Sequence, residues 1–196
     1  MLNKKGSVYI AAMAAVFGFL SVVYISCTKV GSAPKCNGVI CQNGGYCKAG
    51  VCKCPTGYEG SNCSVSSVTR FFGTWDVHQT IIGSDSLAVV GKDTVYPVFL
   101  KKTATPTTFF IDNFLGNPSY NDLLCTIDTL NTRNFGLDTL RDFNMWYEHV
   151  YIKAGSFGSL QNNDTLISAR VILRRLSATS NWRMDTLQWK LTPHHF

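Results

Sequence analysis

Six of the eight cysteines fall between Cys36 and Cys63, in the stretch CNGVICQNGGYCKAGVCKCPTGYEGSNC. A segment this short buries too little apolar surface to fold around an oily core, so covalent bridges or a metal must give it shape. Zinc sites favour paired C-x2-C elements with about four ligands. The order here, C-x4-C-x5-C-x4-C-x1-C-x8-C, contains no such pair. Disulfides are therefore expected, each worth about 2–4 kcal/mol through its restriction of the unfolded chain. Six cysteines allow many pairings, and their order in the chain does not choose among them. Gly44, Gly45, Gly57 and Gly60 permit the tight turns of a stapled hairpin.

Bridges require an oxidising compartment, and the N-terminus reads as an export signal. Residues 1–26 carry Lys4 and Lys5, then an uncharged run from Val8 to Ile25, then Ser26 and Cys27. A basic start, an apolar centre and small residues at the end are the parts of a secretory signal. The ending YISC resembles the lipobox of bacterial lipoproteins, with Tyr24 where Leu is usual. That resemblance implies a lipid on Cys27, a tether over 27–35 and, because Thr28 rather than Asp follows, sorting to the outer membrane. An uncleaved anchor is the alternative, since the apolar run reaches the lower limit for a spanning helix. Both place the remainder outside the cytosol, because the positive flank stays inside.

The residues between the cysteines, QNGGYC and CKCPTGYEGSNC, resemble an EGF-like domain over 36–63. The resemblance implies the pairs Cys36–Cys47, Cys41–Cys52 and Cys54–Cys63. Calcium-binding members carry acidic or amide ligands ahead of the first cysteine. This chain has GSAPK there, and hard cations need oxygen donors, so no calcium is expected. Lying between anchor and main domain, the module is expected to serve as a stiff spacer.

A polar connector, SVSSVTR over 64–70, leads to the domain 71–196. Period-2 alternation dominates there. Trp75, Val77 and Ile81 share one face of a strand; so do Ile167, Ala169, Val171 and Leu173, and again Leu187, Trp189 and Leu191. Further strands are expected at 95–102, 107–115, 123–130, 135–143 and 147–154, with GNPS, QNND and SATSN as turns. About eight strands in meander order predict an antiparallel β-barrel or sandwich, and a mainly β protein overall. The opening FFGTWDV, with Gly73 and Trp75, resembles the G-x-W motif of lipocalin-like barrels. That resemblance implies that Trp75 closes one end of the barrel and packs on an Arg of the last strand, with Arg183 as the candidate. Eight strands permit either a filled interior or a ligand cavity. Cys125 shares parity with Leu123 and Ile127, so a buried free thiol is expected.

Six of the ten aspartates precede Ser or Thr and then an apolar residue, at Ser86, Thr94, Thr129, Thr139, Thr165 and Thr186. Turn chemistry accounts for this pattern, with Asp capping and Thr entering the sheet. The tripeptide also resembles an O-glycosylation acceptor of exported bacterial proteins, which makes those six hydroxyls candidate sites.

No catalytic or cofactor motif emerges. His78, His149, His194 and His195 lack metal-ligand spacing, GSFGS does not centre a Ser as a nucleophile elbow does, and Glu59 and Glu148 are the only glutamates. The His194–His195 pair reads as a solvated tail. Basic residues exceed acidic ones by 18 to 12, or 16 to 12 without Lys4 and Lys5, and they are scattered. A nucleic-acid surface needs a clustered stripe. These features predict a non-enzymatic, membrane-tethered protein without metal, cofactor or nucleic-acid partner. Its β domain is expected to bind a small apolar ligand or, with a filled barrel, to meet another macromolecule at a cell surface.

Overall fold

The computed structural model describes residues 35–139, 142–145, 148–176 and 181–194. Cys27 and His195 lie outside them. The cysteine-rich module is a hairpin of β1 (Tyr46–Lys48) and β2 (Val51–Lys53), followed by the short pair β3 (Tyr58–Glu59) and β4 (Val65–Ser66). Its bridges join Cys36 to Cys47, Cys41 to Cys52 and Cys54 to Cys63, with Cα separations of 5.7, 5.6 and 5.2 Å. Cys63 is fully buried, and a Cβ on Gly45 would stand 2.8 Å from its sulfur, so only glycine fits beside that bridge.

Ten further strands make one large sheet. They are β5 (Gly73–Ser84), β6 (Asp93–Lys102), β7 (Thr108–Asp112), β8 (Leu123–Ile127), β9 (Asn134–Leu137), β10 (Asp142–Met145), β11 (Glu148–Ile152), β12 (Phe157–Gln161), β13 (Leu166–Leu176) and β14 (Trp182–Pro193). Every ladder is antiparallel, and β14 pairs with both β13 and β5, which closes the sheet on itself. β9 pairs with β12 while β10 pairs with β11, and β11 and β12 occupy successive stretches of β13. β9–β10 and β11–β12 are thus the two arms of one interrupted hairpin. The ring counts eight strands in sequential up-and-down order, a closed antiparallel barrel whose first and last strands meet.

Alternation decides which residues face inward. Ile167, Ala169, Val171 and Leu173 of β13 and Leu187, Trp189 and Leu191 of β14 are all buried, as their period-2 pattern predicts. Three expected strands end or break early. The one expected at 123–130 stops at Ile127, where Asp128 opens a turn. The strand expected at 107–115 stops at Asp112, because Asn113 and Leu115 take φ of 59° and 58°. The strand expected at 135–143 breaks between β9 and β10. β12, a Gly- and Ser-rich stretch of low strand propensity, forms nonetheless. A Cβ on Gly158 would stand 2.3 Å from the Phe135 ring, so the bare backbone there is what admits that ring.

The segment 64–70 is not an exposed connector. β4 pairs with β3, the Ser67 amide donates to the Gly57 carbonyl at 2.9 Å, and Val68 and Phe71 are buried in the barrel core. Its backbone pairs with the module while Val68 packs into the barrel core, a division hidden in a run that reads as polar. A 3-10 turn, Thr69–Phe71, drives the Phe71 ring into the end of the barrel. There it stacks on Phe109 at 4.8 Å and meets Phe135 edge-on at 5.4 Å. Arg70 pairs with Glu59, and Ser66 Oγ donates to the Pro106 carbonyl at 3.3 Å, so module and barrel share a packed and hydrogen-bonded junction.

Trp75 is buried and its Nε1 donates to the Phe71 carbonyl at 2.9 Å. Gly73, with φ of 132°, occupies backbone that side chains avoid. Trp75 pairs across the ladders with Val98 and Pro193 at the module end, whereas Arg183 pairs with Arg175 near the other end. Arg183 is therefore not the partner of Trp75: the register of β14 places it at the start of that strand, a barrel length away.

Candidate functional site

Strand direction defines two ends. The starts of β5 and β13 and the ends of β6, β8 and β14 converge on the module, where Phe71 closes the barrel. The end of β5, the start of β6, the 113–122 loop, the end of β13 and the start of β14 converge on the opposite mouth. Between them the interior is filled. Trp189 lies within 5.4 Å of Phe114 and 6.3 Å of Tyr96 (ring centroids), and Phe143 stacks on Phe114 at 5.4 Å and on Tyr120 at 4.8 Å.

What remains at the mouth is a half-open cleft of about 430 Å³, walled by Ile81, Leu115 and Tyr120 and bordered by Lys92 and Arg175. Its floor is polar and fully bonded. Trp189 Nε1 and the Tyr96 hydroxyl both donate to Gln79 Oε1, at 3.0 and 2.8 Å, and Gln79 Nε2 donates to Thr94 Oγ1 at 3.2 Å. Burial holds the Tyr96 phenol far above its ordinary pKa against the opposing pull of Arg175, so the floor stays neutral.

The rim carries charge. Asp185 is fully buried; it accepts from Arg183 Nε at 3.0 Å, lies 2.9 Å from the other Arg183 nitrogen, and accepts from Ser84 Oγ at 2.6 Å. Arg175 Nε stands 3.7 Å from the same carboxylate, too far to donate. Among the described residues that buried nitrogen has no hydrogen-bond partner. One carboxylate thus faces two guanidiniums, and Lys92 adds a further positive charge at the cleft. The arrangement suits a small molecule with an anionic group and a compact apolar body.

Sequence reading passed over Gln79, Arg175 and Asp185. The available signal was parity, since Gln79 continues the inward row of Trp75 and Val77, and Arg175 that of Val171 and Leu173. Polar residues on an inward row mark either a mouth or a buried network.

The other singled-out residues scatter. Cys125 is buried and unpaired, and burial, with Asp138 adding to it, pushes its thiol pKa well above the ordinary value, so it is a packing residue. Of the candidate acceptor hydroxyls, Thr94, Thr129, Thr139 and Thr165 are exposed and Ser86 is half-buried. Asp128 accepts from the Leu130 amide at 2.8 Å and leaves Leu130 97% exposed, a turn of the kind its composition predicts. Thr186 differs: it sits mid-strand opposite Gly83 and Ile172, beside the buried Asp185. His194 is not a loose tail. Its Nδ1 is 2.8 Å from Asp76 and its amide donates to the Thr74 carbonyl at 3.0 Å, which extends the β14–β5 closure. Among the described residues no group of three or more His, Cys, Asp or Glu could hold a metal ion.

These features define a class of architecture, a disulfide-stapled module fused to a closed eight-stranded up-and-down barrel. Compared with protein-family models and with curated proteins, the sequence matches none.

Proposed function

We propose that this is an exported, membrane-anchored lipoprotein whose barrel mouth binds a small amphipathic anion without catalysis. The observation that carries the ligand reading is the mouth cleft, which Arg175 and Lys92 border above a neutral floor whose polar groups bond to one another. The expectation of a purely apolar ligand inside the barrel is narrowed accordingly. Rings occupy the interior, so the ligand is confined to the mouth, with its charged end on Arg175 and Lys92. The anchor reading is supported by three bridges, which need an oxidising compartment. A lipid on Cys27 with the tether 27–35 allows the module roughly 30 Å of reach, at about 3.3–3.6 Å per residue. The mouth then opens away from the module, and the module acts as a rigid base. The exposed hydroxyls of Thr129 and Thr165 are the more accessible glycan acceptors. Thr94 is bonded to Gln79 at the cleft floor and Thr139 lines an outer groove, so both rank with the half-buried Ser86, and Thr186 is the least accessible.

Two measurements test this. Intact-mass analysis of the native protein is expected to find a mature chain starting at a lipidated Cys27, with any glycan as added hexose mass; an unlipidated chain starting at Met1 overturns the anchor. Calorimetric titration with octanoate is expected to saturate, and Arg175→Gln to weaken it by about tenfold, the loss of one charge-assisted contact. Palmitate is expected to bind no more tightly than octanoate. An affinity that climbs by about 0.8 kcal/mol per added CH₂ would reveal a deep channel and overturn the mouth reading.

The filled interior also favours a second reading, a cell-surface scaffold or adhesion protein acting through its outer faces. Absence of saturable octanoate binding would leave that reading in place of the first.

A further inference from the structure

The outward face of the sheet at the mouth end carries a group of planar side chains that the fold does not need for its core. Opposed residues share a face, and the ladders align Asp142, Tyr151, Arg174 and Met184 in one row and His149, Leu176 and Trp182 in the next. Their neighbours Val150, Ile152 and Leu173 are the buried ones, so both rows face out. Trp182 is 41% exposed, and the Arg174 guanidinium carbon lies 4.1 Å from its ring centroid. Tyr151 meets Trp182 at 5.6 Å, and His149 stacks on Tyr151 at 6.2 Å with planes 8° apart. Asp142 accepts the Tyr151 hydroxyl, which raises that phenol's pKa, and lies 3.5 Å from His149 Nδ1. A shallow groove of about 270 Å³ runs beside the rings, with Thr139, Lys153 and Arg174 in its lining and no carboxylate among them.

We propose that this platform binds an acidic glycan, a chain of sugars bearing carboxylates. A pyranose presents a flat face of C–H groups that packs on exposed aromatic rings, and its hydroxyls need donors and acceptors at the ring edges. Tyr151 and Trp182 supply the faces, and Thr139 supplies an edge partner. Among the described residues Lys153 and Arg174 have no carboxylate partner within ion-pair distance. Held over the Trp182 ring, the Arg174 guanidinium presents its planar fork of donors to a sugar carboxylate. A peptide is a poorer fit. β11, β13 and β14 are each paired on both sides, and among the described residues the one open ladder of the platform is that of the four-residue β10, too short to template an added strand of ordinary length. The groove is shallow and offers no socket for a side-chain anchor. A greasy ligand is excluded by the two cations and the shallow floor.

This inference gives chemistry to the outer-face reading and is separate from the mouth cleft, which lies on the inner side of the barrel wall. Octanoate and glycan titrations therefore succeed or fail independently. The probe is trigalacturonate, titrated calorimetrically into the full protein, with maltotriose as its neutral counterpart. Trigalacturonate is expected to saturate and maltotriose to bind about tenfold more weakly. Trp182→Ala and Arg174→Gln are each expected to cost about tenfold for trigalacturonate, with circular dichroism confirming that both remain folded. Arg174→Gln should also flatten the salt dependence, a readout that a merely structural role would not move. No saturable binding of trigalacturonate, unchanged affinity in Trp182→Ala, or equal affinity for polyglutamate or a single-stranded oligonucleotide would each overturn the proposal.

Discussion

Phe71→Ala is expected to lower the unfolding free energy by about 3–5 kcal/mol, the range for deleting a buried aromatic ring and leaving its cavity. The ring is fully buried between Phe109 and Phe135 at the module end of the barrel. The site has little means of collapse. Phe109 and Phe135 are themselves locked edge-to-face at 5.2 Å, and Phe135 is seated over Gly158. Domains of this kind are typically stable by about 5–15 kcal/mol, so the loss is a large fraction of the whole. A second consequence follows from chain position. Phe71 stands at the junction, three residues after the buried Val68, and its carbonyl receives the Trp75 indole. Its loss frees the module from the barrel, so β3 and β4 amides are expected to exchange faster than those of β13. Denaturant titration with hydrogen exchange measures both, and Phe71→Leu, which keeps most of the volume, should recover most of the stability. A change below about 1 kcal/mol, within the range of ordinary surface substitutions or a little above it, would mean that the ring is not a plug.

That junction also shows where sequence reading runs out. The inward rows of β13 and β14 were legible because each is a long run of strict alternation, and one face of a closed barrel must be apolar. The cysteine-rich module was legible because a short oxidised segment has few other ways to hold its shape. Val68 was not legible: the two valines of SVSSVTR, three positions apart, fit no strand alternation, Val65 is exposed, and the burial of Val68 follows from the barrel's need for a lid, a tertiary demand. β12 fails for a related reason. Its glycine lowers strand propensity locally but makes room for Phe135, which lies 23 positions away in the chain. The mouth was hardest to read. Gln79 bonds Trp189 across 110 positions, and Ser84 bonds Asp185 across 101, so the residues that make a buried polar group tolerable are invisible from either end alone. Asp185 even carried a misleading label, since Asp-Thr-Leu reads as turn chemistry at 128–130 and as mid-strand structure at 185–187.

Asp185→Ala is the second substitution with a large expected cost, about 3–5 kcal/mol, the range for breaking a buried charge pair from one side. The carboxylate side chain is fully buried, with Arg183 in direct contact, Arg175 within 3.7 Å and the Ser84 hydroxyl donating at 2.6 Å. Removing it leaves two guanidiniums facing each other across the start of β14 with no anion between them. It also opens the seam where β14 pairs with both β5 and β13, since Asp185 stands opposite Ser84 on one side and Leu173 on the other. Charge and space can be separated experimentally. Asp185→Asn keeps the shape and an acceptor for Ser84 and Arg183 but discards the charge, so it should show most of the loss if electrostatics dominate and little if packing does. The triple replacement Asp185→Leu, Arg175→Leu and Arg183→Leu should restore much of the stability, because a buried ion cluster exchanged for well-packed apolar side chains is often neutral or better. Because Asp185 is shielded from solvent while Arg175 and Arg183 are 22% and 35% exposed, added salt should screen these differences only in part. Denaturation midpoints for the three variants decide the matter: a triple variant no more stable than Asp185→Ala would show that the barrel seam depends on the ion cluster itself, and that the charged rim is structural before it is a ligand site.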